Sequence, residues 1–330
     1  MKRRRFLQGT AAITVVAAGG TVWRAVDQGV FQAAQGSAYE PWHDWHKPGE
    51  RSPRALVRAG ILAANPHNTQ PWIFRVEANT VELYADRGRN LGSFDPYLRE
   101  MHLGLGCALE NMLLAARANG YEPRLELATG QLGPIEEQPR RQRVARITLT
   151  DNPAQDSPLH AAIPDRHTNR GPYEAQRAWP DELKRELLAM PQDDTAIDVV
   201  LFTGEDERAA CASVIIAATE AIIADAPMVA DSERWFRHSR QAIQTHRDGP
   251  TLDAAGLPPL VTALAKMMPR PSAEANHQYW LDATREVQVA TTPAFGLVRV
   301  DDLYDRDQAL RAGQLWQRMH LWASTQGLAM

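Results

Sequence analysis

The sequence predicts an α+β fold made of two similar halves, and three observations carry that expectation. Apolar residues recur at helical spacing over long stretches at 97–119, 205–225 and about 306–326. Short strand-like runs are interleaved with them, which places the chain in a mixed helix-and-sheet class. A dense polar motif beside a helix, followed by a long apolar helix, occurs once before residue 150 and again after it, an order consistent with duplication.

Composition bounds the rest. A chain of 330 residues that is 44% hydrophobic and 23% charged can bury a sizeable core, in two domains or one elaborate one. The formal net charge of −4 conceals an asymmetry: Lys2, Arg3, Arg4, Arg5 and Arg24 stand before residue 39, where the only acid is Asp27. The remainder carries 31 basic against 39 acidic side chains, net −8, a sign that excludes non-specific tracking of nucleic acid. Two cysteines, Cys107 and Cys211, are too few for a disulfide scaffold or a tetrahedral metal site, and both read as small apolar side chains in helices. His43 and His46 in "WHDWH" lack the further ligands a metal needs. Neither a glycine-rich phosphate cradle nor a Gly-x-Ser-x-Gly elbow occurs, so kinase and hydrolase chemistry lose their usual support.

Residues 1–38 read as a targeting segment. "MKRRRFLQ" precedes the apolar "GTAAITVVAAGG", and Arg3-Arg4-Arg5-Phe6-Leu7 resembles the twin-arginine export signal. That resemblance implies a partner in the twin-arginine translocation machinery and a destination outside the cytoplasm. The protein would be periplasmic, released by cleavage near Gly36-Ser37-Ala38, or anchored by the uncleaved segment on the outer side of the inner membrane.

The first half is expected over 39–155. "AYEPWHDWHKPGE" should drape over the body; Ser52 and Pro53 then start a helix at 52–64, the serine capping free N–H groups and the proline fitting the first turn. Strands are expected at 72–77 and 80–85, then the long helix 97–119 with Gly120 as its left-handed cap. Further strands at 122–128 and 144–150 flank the turn "GQLGPIEEQPRRQ". A composition break at "DNPAQDSP" opens the second half, 156–330. It should hold helices at 180–190, 205–225 and 306–326, strands at 197–203 and 294–300, and a lid-like excursion at about 226–290.

Two segments concentrate polar chemistry. "AANPHNTQPWIF" packs Asn65, His67, Asn68, Thr69 and Gln70 into a helix-to-strand corner, and "DRHTNRGPY" crowds Arg166, His167, Thr168 and Arg170 together. Guanidinium groups, a hydroxyl and local backbone N–H groups make an anion site, phosphate above all.

The first segment resembles the Pro-Ser-x-x-Asn-x-Gln-Pro-Trp stretch of the nitroreductase-like flavoproteins, with Ala64-Asn65 replacing the usual Pro-Ser pair. The second resembles their Arg-x-Ser-x-(Arg/Lys) stretch. With "REMHLGLGCALENMLLAARANGY" and "RDGPTLDAAG" they are similar to the Acg-like branch, in which two nitroreductase-like halves are fused in one chain as a pseudo-dimer. The resemblance covers residues 40–330 and implies flavin mononucleotide (FMN) held between the halves. Pro66, His67 and Asn68 would line the ring and ribityl chain, and Gln70 and Trp72 would brace the corner. Arg166 and Thr168 would serve the phosphate, Arg170 the ring's N1/C2 edge, and His167 and Arg237 are further candidates. In the family, a last segment with another basic residue for the phosphate follows the point where "WASTQGLAM" ends this sequence.

The implied activity is alternating two-electron transfer through flavin N5, from a small-molecule donor such as a reduced nicotinamide to an electron-poor acceptor such as a nitroaromatic or quinone. No side-chain nucleophile is required. The alternative is a protein that sequesters FMN under a lid. Either form would be a monomer, as a pseudo-dimer, or a homodimer.

Overall fold

The structure is a computed structural model that describes residues 22–47, 50–177, 179–192 and 194–330; the twin-arginine-like residues 3–7 lie outside the described residues. Helix α1 (Pro53–Gly60) leads to strands β1 (Trp72–Val76) and β2 (Thr80–Asp86), helix α2 (Arg99–Ala118), and strands β3 (Tyr121–Leu127) and β4 (Arg141–Asp151). These four strands form one antiparallel sheet in the order β1-β2-β4-β3. Val81 and Leu83 of β2, Val144 and Ile147 of β4, and Leu105, Leu109 and Met112 of α2 interlock in one core with Leu56 of α1 and Leu310. At about 1.5–3 kcal/mol for each large apolar side chain, this is the main stabilising mass of the fold.

Most boundaries follow the sequence reading, and Gly120 has φ 81° as its capping position requires. Helix α1 is shorter than 52–64. Ser52 caps it by accepting from the Arg54 N–H at 3.2 Å. Beyond Gly60 the backbone tightens, with Leu62 and Ala63 N–H bonded to Ala59 and Gly60 O at 3.2 and 3.1 Å, and the chain turns into the polar corner.

The later part holds α3 (Asp181–Leu188), β5 (Ile197–Phe202), α4 (Glu205–Ala224), four shorter helices α5 (Ala226–Glu233), α6 (Arg240–His246), α7 (Pro259–Met267) and α8 (Ala273–Asp282), then β6 (Phe295–Val300) and α9 (Arg306–Thr325). Here the described residues form a two-stranded antiparallel sheet, β5–β6, against the four strands of the first part. It packs on Leu315, Met319 and Trp322 of α9. Helix α4, apolar in sequence, lies on the surface with Thr219 as its one buried residue.

The two parts meet along α2 and α9, which cross backbone to backbone. A Cβ on Gly106 would stand 2.1 Å from Leu310 O, and one on Gly313 2.1 Å from Leu103 O, so only glycine permits the approach. Polar clasps fix the crossing. Arg318 forks onto Glu110 (Nε–Oε1 2.8 Å, Nη2–Oε2 3.1 Å). Buried Gln317 donates to Asn111 Oδ1 (2.9 Å), and Asn111 donates to Ala59 O (2.9 Å), tying α9 through α2 to α1. Cys107 and Cys211 are both free thiols.

Candidate functional site

The corner after α1 is held by one side chain. Asn65 Oδ1 accepts from the Gln70 N–H at 2.8 Å while its Nδ2 donates to Ala63 O at 3.1 Å, closing the loop on itself. The loop rests on α2 where Gly104 leaves room: a Cβ there would lie 3.0 Å from Asn65 Cβ and Pro66 Cδ. Ala64 N–H donates to Gln317 Oε1 at 3.2 Å, so the α2–α9 clasp also sets the corner's position. Within it His67, Asn68 and Gln70 adopt left-handed backbone conformations, φ 48°, 48° and 51°. Each costs about 1–2 kcal/mol for a non-glycine residue, and strain of this kind concentrates where a ligand is handled.

Contacts with the excursion offset that strain. Gly249 N–H donates to Asn68 O (3.0 Å), Asn68 Nδ2 donates to Gly249 O (3.4 Å), and Gln70 Nε2 donates to Arg247 O (2.6 Å). Gly249 has φ 78°, and a Cβ on it would strike Trp235 O at 1.9 Å, so this hook also depends on glycine. His67 shares a 2.7 Å hydrogen bond with Ser232 Oγ and meets the edges of Phe94 and Phe236. Burial, and then the charge of Arg170, push its pKa down to about 4, so it is a neutral imidazole at pH 7.

The second polar motif is joined to the first through the excursion. Arg170 donates from Nη1 to Ala254 O at 3.2 Å, and Gly256 (φ 75°) packs against Arg170's own backbone. The "RDGPTLDAAG" stretch thus touches the corner at one end and Arg170 at the other.

Arg166 lies deeper, at the junction of α1, α2 and α9. It is buried, donates from Nη2 to Leu62 O at 3.2 Å, and leaves Nε without a partner. Among the described residues no carboxylate pairs with it, and burial pulls its pKa down to about 10. The neighbouring His320 donates from Nε2 to His167 O (3.2 Å), and its Nδ1 is also unpartnered. His167 is exposed and stacks on Trp42 at 4.8 Å; Thr168 is exposed. A buried guanidinium with no carboxylate partner and a free Nε, in the same segment as an exposed hydroxyl, has the donor chemistry that the phosphate of FMN takes.

Arg237 is differently employed. Its Nη2 and Nε reach Asp248 Oδ1 at 2.6 and 2.8 Å, and the other oxygen of Asp248 binds Arg89, itself bonded to Thr69 O. Arg89, Arg234 and Arg237 all lie over the Trp235 ring, 5.4–6.0 Å from its centroid. Asp248 therefore offsets Arg237's charge and pins the excursion to the corner. Sequence reasoning missed Asn65's clamp, Arg89, Ser232 and Asp248, none of which stands out locally. Gln317 and Asn111 did leave a signal, as amides within apolar helix faces. A cavity of about 460 Å³ lies elsewhere, lined by His46, Arg51, Asn119 and His160 and by no corner residue.

Asn65→Ala should cost about 1–3 kcal/mol in urea unfolding, because it removes both bonds of the clamp. Asn65→Asp keeps the acceptor for Gln70 and should cost less; equal losses would show that the clamp is not what holds the loop.

No family model matches the chain. A stretch of 139 residues is 31% identical to "Putative NAD(P)H nitroreductase Rv3131" of Mycobacterium tuberculosis, covering 41% of this chain and 37% of that protein. Another of 165 residues is 29% identical to "Putative NAD(P)H nitroreductase acg" of the same organism, covering 49% and 47%. The chain spans less than half the length of these curated relatives.

Proposed function

We propose that this chain is an FMN-dependent, nitroreductase-like oxidoreductase whose cofactor lies between the 65–70 corner and the Arg166–Arg170 segment. The observation that carries the reading is the buried Arg166 guanidinium with its unpartnered Nε. The names of the partial relatives support the same class.

Arg166 and Thr168 would bind the phosphate, Arg166 supplying a charge already stripped of water and Thr168 a hydroxyl. Pro66, His67 and Asn68 would meet the ring side, where the left-handed turn presents backbone and side-chain amides together. Arg170 would place positive charge at the pyrimidine edge, favouring an anionic reduced form. FMN, when bound, supplies the two-electron chemistry. Reduced nicotinamide would be the donor, and a nitroaromatic or quinone the acceptor, each using the site in turn. On the same reading the chain is exported by the twin-arginine route, and changing Arg3 and Arg4 to Lys should strand it in the cytoplasm.

A second reading, FMN sequestered from substrates, is favoured by one set of contacts. Ser232, Phe236, Arg247 and Gly249 all close on the corner. Rapid mixing of the FMN-loaded protein with NADH or NADPH separates the two: bleaching of the flavin band supports turnover, and retained FMN that stays oxidised supports sequestration.

The site itself is tested by titrating FMN into Arg166→Ala. Loss of a charge-assisted phosphate contact, about 1.5–3 kcal/mol, should weaken affinity about tenfold to a hundredfold. Thr168→Val, at an exposed position, should weaken it less and leave stability intact. Unchanged affinity in both would reduce the segment to a structural loop.

A further inference from the structure

Two segments distant in sequence turn apolar stripes away from the protein. In residues 22–27, Val22, Trp23 and Val26 are exposed while Ala25 is buried; Trp23 is 68% exposed. In α7, Leu260 (72%), Val261 and Leu264 (59%) are exposed, and Met268 at its end continues the i, i+1, i+4, i+8 line. A surface helix normally points such a stripe at the core. Here the polar groups do the inward work instead: Arg24 donates from Nε to Met267 O (2.8 Å) and from Nη2 to Met268 O (3.1 Å). Lys266 bonds Gly29 O at 3.5 Å and pairs with Asp253 at 2.7 Å. The segments are thereby fastened side by side with their apolar residues outward. Phe31, in the same N-terminal segment, is 72% exposed.

We infer that this face rests on a lipid bilayer. The sequence that runs directly into it is "AAITVVAAGGT", residues 11–21, apolar and without charge, preceded by Lys2, Arg3, Arg4 and Arg5, whose charge matches anionic headgroups. Trp23 follows at once, a side chain suited to the headgroup level. The outward apolar residues form one side of segments whose polar side chains bond inward, the pattern of a helix lying in the interface. The arrangement needs residues 22–38 to stay attached. They are held: Ser37 Oγ and Ala38 N–H both donate to Gln244 Oε1, at 3.2 and 3.1 Å, and Gln244 donates back to Gln35 O at 2.8 Å. The inference is independent of flavin binding.

The test uses the full chain, its first 38 residues verified by intact mass, in flotation with vesicles of phosphatidylcholine and phosphatidylglycerol. The double variant Leu260→Gln, Leu264→Gln keeps helix-forming residues and should bind vesicles about tenfold to a hundredfold more weakly, with unchanged circular dichroism. Leu264→Trp should bind at least as well as the parent, and Leu297→Gln, exposed on β6, should bind equally. Undiminished binding by the double variant would overturn the inference. So would a parent dimer, measured without lipid by light scattering, that the double variant converts to monomer, since a second copy would then cover the face.

Discussion

Acidification from pH 7 to pH 4 is expected to unfold this protein cooperatively, because His102, His160 and His320 are buried as neutral imidazoles. Burial is the first cause in each case and holds their pKa values at about 4, against 6.5 in the unfolded chain. His102 donates from Nδ1 to Leu98 O at 2.7 Å, and its Nε2 has no partner and faces the charge of Arg306. His320 sits beside Arg166, and His160 beside His46. A proton on any of them would be a buried charge, and on His102 or His320 it would also meet the charge of a nearby arginine.

The sign follows from proton counting. Between pH 6.5 and 4 the unfolded chain binds protons that the folded one refuses, so stability is fully present above 6.5 and is lost as pH falls through the window. Each histidine contributes a slope of about 1 kcal/mol per pH unit. Glu100 acts oppositely: burial and the neighbouring Asp95 raise its pKa to about 7, and its protonation offsets one histidine. The remainder is still several kcal/mol, a large fraction of a typical stability of about 5–15 kcal/mol. Far-UV circular dichroism against pH checks this. A midpoint between pH 4 and 6, moved lower by His320→Gln, is the expected outcome; a midpoint below pH 4 would assign the unfolding to carboxylates.

Gly106→Ala and Gly313→Ala should each cost about 3 kcal/mol or more, since the added methyl would overlap a backbone carbonyl oxygen that the opposite helix cannot withdraw without moving as a whole. The corresponding fall in Tm for a chain of 330 residues is roughly 4 °C. Gly296→Ala, whose added Cβ would meet Leu201 at an ordinary 3.5 Å, should be nearly neutral. The corner should suffer with the crossing, because Gln317 links α9 to the Ala64 N–H. On the proposed reading of the site, FMN affinity should therefore drop alongside stability in the helix variants. Tolerance of alanine at both glycines would mean that the helices cross less closely than 2.1 Å implies.

The local elements of this protein were written in its sequence. The serine–proline start of α1, the apolar period and glycine cap of α2, the strand pairs around β1–β2 and β3–β4, and the helix at 306–325 each depend on interactions within a few residues of one another, so pattern and propensity suffice to find them. The two polar motifs were legible for the same reason, as dense local clusters.

What joins them was not. Nothing near residue 106 announces that its missing side chain admits residue 313. Nothing in "RDGPTLDAAG" indicates that one end clasps Asn68 while the other packs on Arg170. The surface position of α4 and the outward stripe of α7 run against what their apolar sequences suggest, because which face of a helix is covered depends on elements far along the chain. Sequence determined the helices, the strands and the chemistry of each motif. Tertiary structure decided that one stretch of the excursion joins the corner to Arg170, that Arg166 lies buried without a carboxylate partner among the described residues, and that Asp248 pairs with Arg237. These are contacts across roughly a hundred residues or within the folded excursion, and they exist only once close packing brings the segments together.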